Sequence, residues 1–110
     1  MTERARGPLY SPLDLLILKA LALQPLHGVG ISQRIQQMTQ PTIQVSYGSL
    51  FPALHRMEEE GWLAAEWSIS EKNRRAKYYR LTRSGGKQLR IEEQEWLRTV
   101  EAVAAALASE

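Results

Sequence analysis

Ser46, Ser49 and His55 fall close together in this chain, and a serine beside a histidine can serve as a nucleophile and its base. Both serines, however, stand where a helix begins, a position that favours serine for its capping oxygen. No buried acid is evident to orient the imidazole. His27 is the only other histidine and cysteine is absent, so His27 is expected to be a structural or surface residue rather than a metal ligand. No phosphate loop, metal cluster or dinucleotide fingerprint is present. The chain is expected not to be an enzyme, with no catalytic residues, no metal and no cofactor.

A second kind of chemistry is better represented. Eight basic residues (Lys72, Arg74, Arg75, Lys77, Arg80, Arg83, Lys87 and Arg90) run from Lys72 to Arg90 without one acid between them. Elsewhere acids outnumber bases by twelve to six, and the net charge is only +2. A local positive stripe on a near-neutral chain suggests directed contact with a polyanion. The competing reading is a solvated face balanced by acids that the fold brings near.

The elements that would position these groups follow from the rest of the sequence. The chain has 110 residues, 44% of them hydrophobic, which fits one modest domain. Residues 1–10 carry mixed charge and no apolar run, so they read as a flexible arm rather than a secretory signal. The longest apolar stretch contains Asp14 and Lys19 and is too short to span a bilayer. No membrane partner is expected, and the location is read as cytoplasmic.

Ser11-Pro12-Leu13-Asp14 is a helix start: serine caps, proline suits the first helical position, and the acid follows three residues after the cap. This helix is predicted to run to about Gln24, with Leu23 widening its apolar stripe, and to end at Pro25. His27-Gly28 then forms a turn. Ile31, Ile35 and Met38 mark a second short helix whose outer side carries Gln33, Gln36 and Gln37. Ser46 caps a third, in which Leu50, Leu54 and Met57 face the core and Gly61 supplies the left-handed stop. Gly48, Ser49, Pro52, His55 and Arg56 are predicted to point away from the core. Pro52 lies past the first turn, so one backbone bond is lost there.

Two strands follow, 63–68 and 76–81. Residues 63, 65 and 67 of the first, and Tyr79 and Leu81 of the second, are predicted to face the core. The polar link between them has Asn73 as its turn residue. Thr82 caps a long last helix. In it Leu89, Trp96 and Val103 recur at seven, as do Val100 and Leu107 with an offset of four, which makes a heptad seam. The seam could pack on its own domain, but the helix is long relative to the rest, so part of it is expected to meet a second copy of the chain.

Three helices, a β-hairpin and a long helix describe a mainly α fold with a small hairpin, a winged helix-turn-helix (residues 11–82) followed by a dimerisation helix (residues 83–110). In that architecture the third helix enters the major groove of double-stranded DNA and the hairpin lies along the backbone or minor groove. Ser46 and the free amides of the first turn can take a phosphate. Gly48 and Ser49 let the backbone approach, Tyr47 and Pro52 offer apolar contact, and Arg56 can reach a phosphate or a guanine. Lys72, Arg74, Arg75 and Lys77 of the wing are assigned to phosphates, which position rather than specify. The rival is a winged-helix module that binds protein or RNA without reading an operator.

These segments also resemble the PadR family of bacterial transcriptional regulators. PLHGVGI (Pro25 to Ile31) is similar to the family's proline-x-histidine-glycine turn. VSYGSLFPALHRMEEEGWL is similar to its recognition-helix signature, and WSISEKNRRAKYYRLTRSG to its wing and the entry to the last helix. The match runs from Leu13 to about Leu89. Many members have proline where this chain has Tyr47, tyrosine where it has Phe51, and an acid near Gly30. The resemblance implies a homodimer on a pseudo-palindromic operator, usually as a repressor. It further implies a small aromatic effector, in some members held between the C-terminal helices, where Trp96 could line a site with Val100. The alternative is that Trp96 packs the dimer core, since its heptad position already explains an apolar residue.

Overall fold

The computed structural model describes residues 12–110; the expected arm, residues 1–10, and the expected cap Ser11 lie outside the described residues. Pro12 occupies the N-cap position of α1 (Leu13–Ala20) and supplies no side-chain bond. The helix is shorter than its apolar pattern predicts. Its end tightens, with Leu21 N–H shared between the Ile17 and Leu18 carbonyls and Ala22 N–H donated to Lys19. Pro25 disfavours a helical conformation in the residue before it. Leu23, beyond the end of α1 at Ala20, lies off the helix and is 81% exposed, not part of the apolar stripe.

His27 belongs to a strand rather than only to a turn. β1 (Leu26–His27) pairs antiparallel with β3 (Arg75–Leu81), and β3 pairs with β2 (Leu63–Ile69), giving the sheet order β1-β3-β2. The hairpin register runs from Leu63 opposite Leu81 to Ile69 opposite Arg75. His27 also caps α2 (Gly28–Thr39): its Nδ1 accepts from the Gly30 N–H at 3.0 Å. Thr39 closes α2 by donating to the Ile35 carbonyl and accepting from the Ile43 N–H.

α3 (Tyr47–Glu59) begins and ends as its sequence predicts. Gly61 has φ +83°, and its N–H bonds Glu58 while Trp62 N–H bonds Met57, the paired bonds of a left-handed helix stop. α4 (Arg83–Ala108) starts at Thr82, whose Oγ1 accepts from Gly85 N–H and donates to the Gly61 and Trp62 carbonyls. Gly85 permits this junction, because a Cβ there would lie 2.1 Å from the Trp62 carbonyl oxygen.

The core joins α1, α2 and α3 to the inner end of the sheet. Ile17, Leu18, Ile31, Ile35, Leu50, Leu54 and Met57 are fully buried, each contributing about 2 kcal/mol before entropy is counted. Leu63 and Tyr79 close the sheet side, while Trp67, on the same pleat face as Leu63, is 55% exposed. The hairpin outruns the helices, so its distal pleat has nothing to cover it. α4 extends similarly beyond the rest, and the molecule measures 57 × 31 × 24 Å. No helix among the described residues is long and apolar enough to cross a membrane.

Candidate nucleic-acid interface

The first turns of α3 are bare. Ser46, Tyr47, Gly48 and Ser49 are all exposed, as are Pro52 and His55. Ser46 has extended backbone, and its Oγ accepts the Ser49 N–H at 3.2 Å. Its hydroxyl oxygen also lies 3.2 Å from that of Ser49. Pro52 offers no N–H to the Gly48 carbonyl. Tyr47 and Phe51, one turn apart, form a tilted ring pair with centroids 5.8 Å apart. Phe51 is not among the expected contact residues, although its position is read as lying on or near the reading surface; its four-residue spacing to Tyr47 puts both side chains on one helix face.

Arg56, expected to point away from the core, keeps 39% of its side chain exposed while donating two bonds to the Asp14 carboxylate, 2.9 Å to Oδ2 and 2.8 Å to Oδ1. The Asp14 hydrogen bond, reinforced by the charges of Asp14, Glu60 and Glu92, raises the Arg56 pKa above its ordinary value. The guanidinium thus ties α3 to α1, with Glu92 of α4 nearby. Asp14 stands in the first turn of α1, as its place in the sequence predicts, and also has a partner forty-two positions away in sequence.

The wing is held open by its turn. Ser70 N–H donates to Arg74 at 2.7 Å, Asn73 N–H donates to Ser70 at 2.8 Å, and Asn73 takes the left-handed φ of 60°. Lys72 and Arg74 are exposed at the tip. The Arg75 guanidinium lies over the Trp67 ring, 4.5 Å from its centroid, a contact that fixes the direction of a long side chain. Lys77, also expected at the phosphates, bonds Glu58 at 3.1 Å and lies over Tyr79. That hydrogen bond to Glu58 raises the Lys77 pKa. Glu58, near the far end of α3, thereby anchors the base of the wing.

A cleft of about 620 Å³ lies between these parts. Val29 of α2, Phe51 of α3 and Trp67 and Tyr79 of the sheet line it together with Lys72 and Arg74. The aromatic side of α3 and the basic tip of the wing therefore border one surface. His27 approaches Glu71 at the same cleft, with Nε2 4.0 Å from the carboxylate.

The residues expected at a dimer seam divide. Leu89 is partly buried and packs against the core of its own domain, which removes most of its surface from any partner. Trp96 is half-buried. Val100, Val103 and Leu107 are 45%, 50% and 82% exposed, and Leu97, not foreseen, is 54% exposed. At 100° per residue, Leu97 borders the Val100 stripe, whereas exposed Ile91 lies on the other side of the helix.

Comparison with known proteins gives a consistent result. The model of the transcriptional regulator PadR-like family matches residues 17–91. An uncharacterized protein of Lysinibacillus sphaericus is 28% identical over 91 residues, covering 83% of this chain and 84% of that protein. A transcriptional regulator from Clostridium thermocellum superposes with a TM-score of 0.77 at 26% identity, covering 86% of this chain and 91% of that chain. A PadR family transcriptional regulator from Eggerthella lenta gives 0.75 at 28% identity, covering 90% and 84%. Bacillus subtilis PadR, solved in complex with operator DNA, gives 0.64 at 24% identity, covering 73% of this chain and 45% of that chain, a likeness that bears on the fold alone.

Proposed function

Because this chain belongs to the PadR-like family of transcriptional regulators, we propose that it binds a pseudo-palindromic operator as a homodimer and represses the gene beneath it. The reading is supported by the exposed start of α3, together with the cleft that Phe51 of α3 lines with Lys72, Arg74 and Arg75 of the wing. Small or flat residues at Ser46, Tyr47, Gly48, Ser49 and Pro52 suit a helix that must enter the major groove, which is about 12 Å wide. Arg56 is not part of this contact. Its pairing with Asp14 sets the angle of α3 instead.

Lys72, Arg74 and Arg75 hold phosphates. Four cations per protomer would have been counted from the sequence, but Lys77 is already bonded to Glu58. Three per protomer make about six in the dimer, so log affinity falls with log salt at a slope of roughly −5. The exposed stripe of Leu97, Val100, Val103 and Leu107 supports pairing through residues 83–110. A twofold axis through that pair spaces the two copies of α3 by about one turn of duplex, 34 Å. A small aromatic effector between the α4 helices, in contact with Trp96 and Val100, would release the operator by changing that spacing.

The test is a gel shift on a duplex from upstream of the protein's own gene, at several salt concentrations. Sequence-selective binding with the stated slope is the expected result. Equal, weak binding to every duplex would favour a module that contacts protein or RNA.

A further inference from the structure

The cleft between the wing and α3 has an apolar lining that phosphate contact alone does not explain. Phe51 and Trp67 are 44% and 55% exposed and Val29 is 43% exposed, and all three line the same cleft. Lys72 and Arg74 stand at its wing side. The Phe51 ring lies against the start of α2, so close that a Cβ on Gly28 would sit 2.5 Å from its Cζ. It is thereby held at the cleft wall rather than free to swing.

With α3 in the major groove and the hairpin at the minor groove, one strand of the duplex backbone must pass between them. That strand alternates charged phosphates with sugars, and a deoxyribose presents an apolar face at C2′ where a ribose carries a hydroxyl. We propose that the cleft formed by Val29, Phe51 and Trp67 seats a deoxyribose of that strand, and that this protein uses it to hold DNA in register and to reject RNA at that nucleotide. The inference rests on the DNA-binding reading above. It adds that Phe51 and Trp67 position the backbone and do not read bases. Lys72 and Arg74 take the flanking phosphates, and Arg75 keeps the Trp67 ring in place by covering one face. Glu71, the one acid of the cleft lining, has 82% of its side chain exposed and can point away from an incoming phosphate.

Two measurements test this on an operator duplex selected by the full-length protein from a random pool. The first is affinity by fluorescence anisotropy for Phe51→Ala and Val29→Ser, exposed positions whose replacement leaves the core intact. Binding should weaken roughly tenfold for selected and unrelated duplexes alike, the loss for withdrawing part of an aromatic ring from an apolar contact, with the salt slope unchanged. The second places a single ribonucleotide at each operator position in turn. One or two adjacent positions per half-site should lose affinity, and Phe51→Ala should abolish that loss.

A Phe51→Ala effect confined to one base pair would make Phe51 a base reader and overturn the proposal. So would a change in salt slope, or equal tolerance of ribose at every position. If the wild-type protein selects no duplex at all, the DNA-binding reading fails and this proposal fails with it. If it selects one and the ribose scan is flat, only the seat for deoxyribose is lost.

Discussion

Asp14 and Arg56 illustrate how a single pair can redirect a functional assignment. The Asp14 carboxylate is almost buried, where an ion left without its partner is costly. Replacing Asp14 with Ala should destabilise the fold by about 1–2 kcal/mol, less than the roughly 3–5 kcal/mol of a fully buried pair, since 39% of the Arg56 side chain is exposed and screened. Thermal unfolding checks this, and combining Asp14→Leu with Arg56→Met should recover part of the loss. At the wing, Arg74→Ala with Arg75→Ala should lower affinity for all duplexes and flatten the salt slope from about −5 towards −2. An unchanged slope would remove these residues from the phosphate contact. Lys77 has its pKa raised by Glu58. Its contribution to stability is therefore complete below the ordinary lysine pKa and lost only as pH rises through the raised value, which leaves the wing base insensitive to pH near neutrality.

Among the elements, the junction between sheet and α4 is the most exacting. Gly85 and Gly86 are neighbours with opposite constraints. A Cβ at Gly85 meets the Trp62 carbonyl, while one at Gly86 meets nothing within 4 Å. Gly85→Ala should therefore cost roughly 2 kcal/mol or more through overpacking against backbone. Gly86→Ala should stabilise the chain by about 0.5–1 kcal/mol through helix propensity. Chemical denaturation of the two variants reads the difference directly, and equal effects would show that α4 does not approach Trp62 so closely. The consequence for function is mechanical. Thr82 bonds both Gly61 and Trp62, so the end of α3, the root of the wing and the start of α4 move together.

For the molecule as a whole, the unpartnered part of α4 is the feature that decides behaviour in solution. Leu97, Val100, Val103 and Leu107 leave an apolar stripe exposed along the chain's last helix, and contiguous exposed apolar surface marks an interaction site. Val100→Glu should convert a dimer to a monomer by light scattering, and with it reduce operator affinity at a given protein concentration. A dimer that survives this change would locate the self-contact elsewhere. Because α4 packs on α1, and Glu92 of α4 acts on the Asp14–Arg56 pair, an altered α4 pairing has a physical route to the angle of α3.

Local rules were enough to read much of this protein from its sequence. The caps at Ser46 and Thr82, the stop at Gly61 and the turn at Asn73 depend on a few neighbouring residues, and the structure has each where the sequence puts it, whereas the strand pleats put Trp67 on the core face but could not show that the hairpin outruns the core. The exposed start of α3 followed from the same periodicity. What required the tertiary structure was every contact between residues distant in sequence: Asp14 with Arg56, Lys77 with Glu58, β1 with β3, and Phe51 beside the wing. A charged side chain takes whichever partner the fold brings within reach, and its own neighbours in sequence do not encode that choice. The same holds for Leu89, whose heptad spacing is compatible with either core or partner, and which the packing of α4 against its own domain assigned to the core.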